Sequence, residues 1–251
     1  MSKKFDMWKV VKRLTGRPEA VDDETIVYAV GDIHGRVDLL LGICERIDSD
    51  IAKEPRHRSI QVFLGDYIDR GPDSSGVIER LAARRETADV VCLRGNHETC
   101  LLDFLADPET LELWRQFGGL QTLISYGLSP SARPDAAERR QLADQLRHAM
   151  PAAHLGFLRS LPSCFGHGRY FFAHAGIRPG VALDLQRDED LLWIRDDFLL
   201  SEDDFGKVIV HGHTPVREPE LRANRINIDT GAYATGRLTC IKLRGSARSL
   251  L

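Results

Sequence analysis

Five short apolar runs in this 251-residue chain end in residues of the kind that bind metals or phosphate. Residues 26–30 lead into Gly31-Asp32-Ile33-His34-Gly35, and 61–64 into Gly65-Asp66-Tyr67-Ile68-Asp69-Arg70-Gly71. Residues 90–93 lead into Arg94-Gly95-Asn96-His97-Glu98, 170–173 into His174-Ala175-Gly176, and 208–210 into His211-Gly212-His213-Thr214-Pro215. Carboxylate, imidazole and amide groups gathered together form a ligand set for divalent cations. Two such ions, about 3.5–4 Å apart, need one carboxylate able to touch both and further donors on each side. Asp66 is the natural bridge. Asp32 and His34 are two residues apart on an extended segment and can point the same way, toward the first ion. Asn96, His174 and His213 would complete the second. This mixture of oxygen and nitrogen suits manganese, iron or zinc better than calcium, and the lack of nearby thiolates argues against a structural zinc centre. Such a metal pair clamps a phosphate and activates a water held between the ions, so that hydroxide attacks phosphorus in line with the leaving group.

The departing alkoxide needs a proton, and the phosphate charge needs compensation. His97 follows a candidate ligand and Asp69 lies three residues after Asp66, so a hydrogen bond between them would orient and charge the imidazole as a general acid. Arg70 and Arg94 flank the same turns, and guanidinium forks bind phosphate oxygens bidentately. Arg195, after Leu192-Trp193-Ile194, is a third candidate. Its acidic surroundings (Asp188, Glu189, Asp190, Asp196 and Asp197) equally suit a surface ion pair. His148, His154 and His167 lie away from these motifs and are assigned no role.

Short β-branched and aromatic runs bounded by glycine read as buried strands, and in open α/β sheets ligands gather beyond the carboxyl ends of strands. Val37, Leu40, Leu41, Cys44, Ile47 and Ile51 predict a helix after the first motif, and Val77, Ile78 and Leu81 predict another beginning near Ser74. Between Thr99 and Pro162 the strand signal gives way to five helical stretches, at 101–106, 111–117, 120–125, 135–148 and 154–160. A loop at 129–134 falls inside that block. Two further strands are expected at 226–228 and 238–243. Met7, Trp8, Val11 and Leu14 are spaced as on a helix with lysines opposite, so residues 1–24 read as a basic appendage, and 25–251 as a single domain.

A composition of 43% hydrophobic and 28% charged residues is that of an ordinary soluble chain with an ample core. A net charge of -3 and a pI near 6.3 give no basic signal, so nucleic acid is not an expected partner. Nothing suggests a membrane span. The five scattered cysteines form no C-x-x-C pair, and the amino-terminal segment lacks the apolar core and cleavage site of a signal peptide. A cytoplasmic location follows as an expectation.

Together these motifs resemble the phosphoprotein phosphatase branch of the calcineurin-like metallophosphoesterases, closest to the bacterial and bacteriophage lambda type of serine/threonine protein phosphatase. The resemblance runs from about residue 26 to 243. Arg115-Gln116-Phe117-Gly118-Gly119, Leu192-Trp193-Ile194-Arg195 and Asn227-Ile228-Asp229-Thr230-Gly231-Ala232 share it. It implies an α/β fold with a central β-sandwich of mixed sheets flanked by helices, here with a helical insertion at about 99–162. It also implies two divalent ions, most often manganese, and direct hydrolysis of phosphomonoesters. By position, Asp32, His34 and Asp66 match ligands of one metal, and Asp66, Asn96, His174 and His213 those of the other. His97 with Asp69 matches the acid pair; Arg70, Arg94 and Arg195 match phosphate binding. The substrate implied is a phosphoprotein or phosphopeptide.

An alternative is a symmetrical bis(5′-nucleosyl)-tetraphosphatase acting on dinucleoside polyphosphates. That sister group usually lacks the aspartate found here as Asp69, and often has Asp where this chain has Glu98. An inactive binding module would be expected to have lost a ligand, and none is missing. Nucleases of the wider superfamily usually add a histidine where this chain has Pro215.

Overall fold

The computed structural model describes residues 24–251; the expected amino-terminal appendage falls, apart from Glu24, outside the described residues. The three apolar runs β1 (Thr25–Val30), β2 (Arg58–Phe63) and β3 (Val90–Cys92) lie side by side and parallel. Parallel neighbours need long crossovers. Helices α1 (Val37–Lys53) and α2 (Ser74–Thr87) supply them, and α3 (Asn96–Ala106) leaves the end of β3.

The expected helical stretches of the insertion form α3, α4 (Leu111–Gln116), α5 (Gly119–Ser125), α6 (Ala136–Ala149) and α7 (Ala152–Arg159). The chain then enters β4 (Cys164–His167) and β5 (Tyr170–Ala173), passes through α8 (Asp188–Trp193) and α9 (Asp196–Leu199), and continues into β6 (Val208–His211), β7 (Glu220–Leu221) and β8 (Arg225–Asn227). A short α10 (Ala232–Thr235) precedes β9 (Cys240–Arg244) and β10 (Ala247–Leu250). Two mixed five-stranded sheets result, ordered β10-β9-β1-β2-β3 and β4-β5-β6-β8-β7.

Strand alternation explains the layering. Val27, Ala29, Ile60, Val62 and Val91 pack against Phe172, Val208, Val210 and Ile226 between the sheets. Ile26, Tyr28, Val30 and Phe63, pointing the other way, pack with residues of α1, α2 and the insertion. On the outside of the second sheet, Phe171, Ala173 and Ile209 are covered by Leu191, Ile194 and Phe198 from α8 and α9. This is the helix-flanked sandwich that the family resemblance implies. Within each sheet the motif-bearing strands are parallel, so their carboxyl ends collect at one edge of that sheet. Among the described residues, no helix is long and apolar enough to cross a membrane.

Candidate dinuclear metal site

Asp32 and His34 follow β1, Asp66 follows β2, Asn96 and His97 open α3 after β3, His174 follows β5, and His213 follows β6. All are buried. Backbone geometry at this edge is unusual: His34, Asp66, Asp69, Arg70 and His213 have positive φ, between 47° and 71°, and they are the non-glycine residues with positive φ among those described. Side chains rarely adopt this region without compensation, and such strain concentrates at functional sites. Glycines give the carboxylates room. A Cβ on Gly95 would lie 2.1 Å from Asp66 Oδ1, and one on Gly212 would lie 2.1 Å from Asp32 Oδ1.

Asp66 sits at the centre. Its Oδ2 is 3.6 Å from His34 Nε2 and from His97 Nε2, and its Oδ1 is 3.4 Å from His174 Nε2. The His97 backbone N–H donates to Oδ1 at 3.2 Å, so the first turn of α3 faces the carboxylate. His174 Nε2, His213 Nδ1 and Asn96 Oδ1 lie within 2.9–3.1 Å of one another. Two clusters with metal-ligand spacing share Asp66: one with His34 and His97, the other with His174 and His213.

Proton placement shows that a cation fits. His34 Nδ1 contacts the Ile68 carbonyl at 2.8 Å and His174 Nδ1 the Leu64 carbonyl at 3.0 Å. A carbonyl can only accept, so each Nδ1 carries the proton and each Nε2 presents a lone pair toward Asp66. Burial keeps both rings neutral, pushing His34 down to about 3 and lowering His174 as well. His213 is pushed down to about 2 by burial and the neighbouring His174. Lone pairs therefore meet a carboxylate with no hydrogen between them, a conflict that a divalent cation removes.

Asp32 tells the same story. Its Oδ2 accepts from the His213 backbone N–H at 3.0 Å, while its Oδ1 is buried with no partner, as is His213 Nε2. Burial, with the carboxyls of Asp229 and Asp66, pushes Asp32 well above the usual carboxylate range. Such unneutralised, crowded acceptors fit a metal pair. Asp32, His34 and Asp66 could hold one ion, and Asp66, Asn96, His174 and His213 the other.

His97 is built differently from the candidate ligand histidines. Its Nδ1 is 2.7 Å from Asp69 Oδ2, and its Nε2 is 3.2 Å from an Arg70 nitrogen. Burial opposes charge on this ring, but Asp66 and Asp69 outweigh it and hold the imidazole above its ordinary value. Asp69 is itself clamped in ways the sequence did not announce. Trp114 Nε1 donates to its Oδ2 at 2.8 Å, Thr122 Oγ1 donates to its Oδ1 at 2.5 Å, and its backbone N–H reaches Ser74 Oγ at 3.0 Å. Glu98 accepts from the backbone N–H groups of Gly95, Asp66 and Tyr67 at 2.8–3.0 Å, tying the second and third motifs together.

The arginines divide. Arg70 reaches His97, and its Nε donates to the Phe117 carbonyl at 3.4 Å. Arg195 donates to Thr214 Oγ1 at 3.0 Å, beside His213. Arg94 instead donates to the Leu161 carbonyl at 3.1 Å, at the far end of the insertion, and its Nε is buried without a partner. The structure brings Arg70 and Arg195 to the cluster and gives Arg94 a contact with the insertion.

Comparison with known proteins agrees with this geometry. Residues 26–240 match the family model described as calcineurin-like phosphoesterase. The chain is 31% identical over 228 residues to serine/threonine-protein phosphatase 1 of Salmonella typhimurium, covering 87% of this chain and 92% of that one. It is 27% identical over 233 residues to the asymmetrical bis(5′-nucleosyl)-tetraphosphatase PrpE of Anoxybacillus flavithermus, covering 85% and 88%. A solved cold-active protein tyrosine phosphatase shares the fold, with a TM-score of 0.56 at 19% identity over 91% of this chain and 80% of that one. The chain belongs to the calcineurin-like phosphoesterase family.

Proposed function

We propose that this metallophosphoesterase is a phosphoprotein phosphatase that hydrolyses serine and threonine phosphomonoesters by direct attack of water. The observation that carries the reading is the His97–Asp69 pair, in contact at 2.7 Å and buried beside Asp66. A serine or threonine alkoxide is a very poor leaving group and needs a proton as the phosphorus–oxygen bond breaks; a departing nucleotide phosphate needs it far less. An imidazole held above its ordinary value against a fully clamped aspartate is suited to the first task.

When bound, the metal pair supplies Lewis acidity to the phosphate and lowers the pKa of the attacking water. Asp32, His34, Asp66, Asn96, His174 and His213 hold it, with manganese the expected ion and iron or zinc also compatible with the donors. Arg70 and Arg195 would take phosphate oxygens through their guanidinium groups. His97 gives a proton from Nε2 to the leaving oxygen once the phosphate draws off the Arg70 guanidinium that meets Nε2 at 3.2 Å, while Asp69 holds Nδ1.

Thr122 positions that pair through Asp69. Thr122→Val is expected to lower kcat on a phosphoserine peptide by about threefold to tenfold, the worth of one buried hydrogen bond, with KM little changed. Thr122→Ser should restore it. Steady-state kinetics on the three proteins checks this, and an undiminished kcat in the valine variant would remove Thr122 from the mechanism.

Kinship with the tetraphosphatases favours a second reading, hydrolysis of dinucleoside tetraphosphates. The sequence suggested the symmetrical type as the alternative, whereas this relative is named for the asymmetrical one. Manganese-dependent turnover of a phosphoserine peptide and of diadenosine tetraphosphate, measured side by side, separates the readings. Faster peptide turnover is expected. Dominant dinucleotide cleavage would replace the phosphatase reading.

A further inference from the structure

His154 on α7, given no role above, is 2% exposed and has both ring nitrogens engaged. Its Nε2 lies 2.7 Å from Glu79 Oε2 on α2, and its Nδ1 lies 2.9 Å from the Tyr126 hydroxyl just after α5. A carboxylate only accepts, so Nε2 carries the proton and Nδ1 is left to accept from Tyr126. Burial pushes the Tyr126 phenol up, so the hydroxyl keeps that proton, and its oxygen takes a further hydrogen bond from the Ser75 side chain. One imidazole thus joins three helices: α7, which carries it, α2 and α5. The packing of α7 does not depend on it, because Phe157 and Leu158 already seat that helix in the core.

The same two helices, α2 and α5, hold Asp69. Thr122, Ser125 and Tyr126 are three and four residues apart and share one face of α5, which meets the first turn of α2. Ser74 Oγ and Thr122 Oγ1 are 2.9 Å apart, and the Ser75 backbone N–H donates to Ser125 Oγ at 3.2 Å. The Asp69 backbone N–H reaches Ser74 Oγ at 3.0 Å and Thr122 Oγ1 at 2.9 Å. Asp69 has a φ of 71°, and a residue held in that region keeps its place only where its surroundings over-determine it. The bond from Thr122 to the Asp69 carboxylate would lengthen if α5 slid along α2. Buried polar networks whose members are all satisfied fix one arrangement of the elements that share them.

We propose that His154 is a positioning residue for the His97–Asp69 pair: by holding Tyr126 and Glu79 it fixes α5 on α2, and with it the Thr122 hydroxyl on Asp69. This role rests on the reading of that pair as the general acid. Loss of the imidazole leaves the Tyr126 hydroxyl without its acceptor and frees the end of α5. Asp69 then holds His97 Nδ1 less firmly, and protonation of a poor leaving group suffers first.

The test compares the wild type, His154→Leu, Thr122→Val and the double variant, all loaded with manganese, on a phosphoserine peptide and on p-nitrophenyl phosphate. His154→Leu should lower kcat on the peptide about threefold, the low end of what one buried hydrogen bond is worth, with KM and nitrophenyl turnover little changed. The double variant should lose no more than Thr122→Val alone, because both act through one contact. Tyr126→Phe, which removes a single hydroxyl, should behave like His154→Leu and takes its place if the leucine variant does not fold. Hydrogen exchange at the Asp69 amide, a readout free of turnover, should quicken severalfold in both. With Asp69→Asn showing the leaving-group dependence of a lost acid, equal losses on the two substrates, or losses that multiply in the double variant, overturn the proposal. An Asp69 amide exchanging at the wild-type rate overturns it as well. Quicker exchange, but no leaving-group dependence in Asp69→Asn, would uphold the brace and overturn the acid-pair reading on which it rests.

Discussion

Asp66→Asn is expected to lower phosphatase turnover roughly a thousandfold, because it removes the carboxylate shared by both candidate ion sites and with it several kcal/mol of transition-state stabilisation. The substitution is nearly isosteric, so the effect should be chemical. Asp66 lies within 3.4–3.6 Å of three imidazole nitrogens. Burial opposes its ionisation, yet its carboxyl is held below the usual range, with His97 the one neighbouring histidine kept above its ordinary value. An amide cannot carry that charge or offer two equivalent oxygens. Outer partners of metal ligands are worth about 10–100-fold in affinity, so loss of the bridge should weaken manganese binding beyond about a hundredfold. Calorimetric titration with manganese and turnover of a phosphoserine peptide check both effects. Wild-type affinity in the variant would show that Asp66 does not bridge.

The second large effect is expected at His97, and it depends on the leaving group. His97→Ala should cut kcat on an alkyl phosphate by about 10²–10⁴, the usual contribution of a positioned general acid. On p-nitrophenyl phosphate the loss should be much smaller, because nitrophenolate departs without a proton. The contrast separates a proton donor from a residue that only shapes the site. A structural role, such as the 4.6 Å edge-on contact with His34 or the 5.8 Å contact with Phe117, would depress both substrates alike. Equal losses would therefore remove His97 as the acid. Asp69→Asn should follow the same pattern, since an amide in place of the carboxylate no longer favours the charged imidazole.

Much of this was legible in the sequence, for physical reasons. Residues 26–30, 170–173 and 208–210 are short apolar runs stopped by glycine or histidine, and such runs have few ways to be buried except as central strands. Within each sheet the carboxyl ends meet because parallel strands share a direction, which gathers Asp32, Asp66 and Asn96 at the edge of one sheet and His174 and His213 at the edge of the other although they are far apart in the chain. The unforeseen strands are β4, β7 and β10. Cys164-Phe165-Gly166-His167 has no alternating pattern, Glu220–Leu221 is only two residues long, and β10 is largely exposed. Each lies at the margin of its sheet, where pairing depends on a neighbour more than on the strand's own pattern.

The convergence of the candidate ligands was legible in the sequence, and that of their supports was not. Trp114 and Thr122 clamp Asp69 from 45 and 53 residues away, through helices whose sequences show only ordinary apolar spacing. Only tertiary packing joins them. Arg94 is a further case: its place beside Gly95 and Asn96 suggests a phosphate ligand, while the contact of one of its guanidinium nitrogens with the Leu161 carbonyl is one that the motif does not announce. The insertion thus reaches Asp69 through Trp114 and Thr122, and meets Arg94 through the Leu161 carbonyl.

The measurement that bears most directly on the central claim is anomalous diffraction from a crystal of this protein soaked in manganese. Two peaks separated by about 3.5–4 Å are expected, with Asp66 between them, Asp32 and His34 on one ion, and Asn96, His174 and His213 on the other. A crystal that shows no peak at Asp66, or one ion held by other residues, would contradict the dinuclear site and the hydrolysis derived from it.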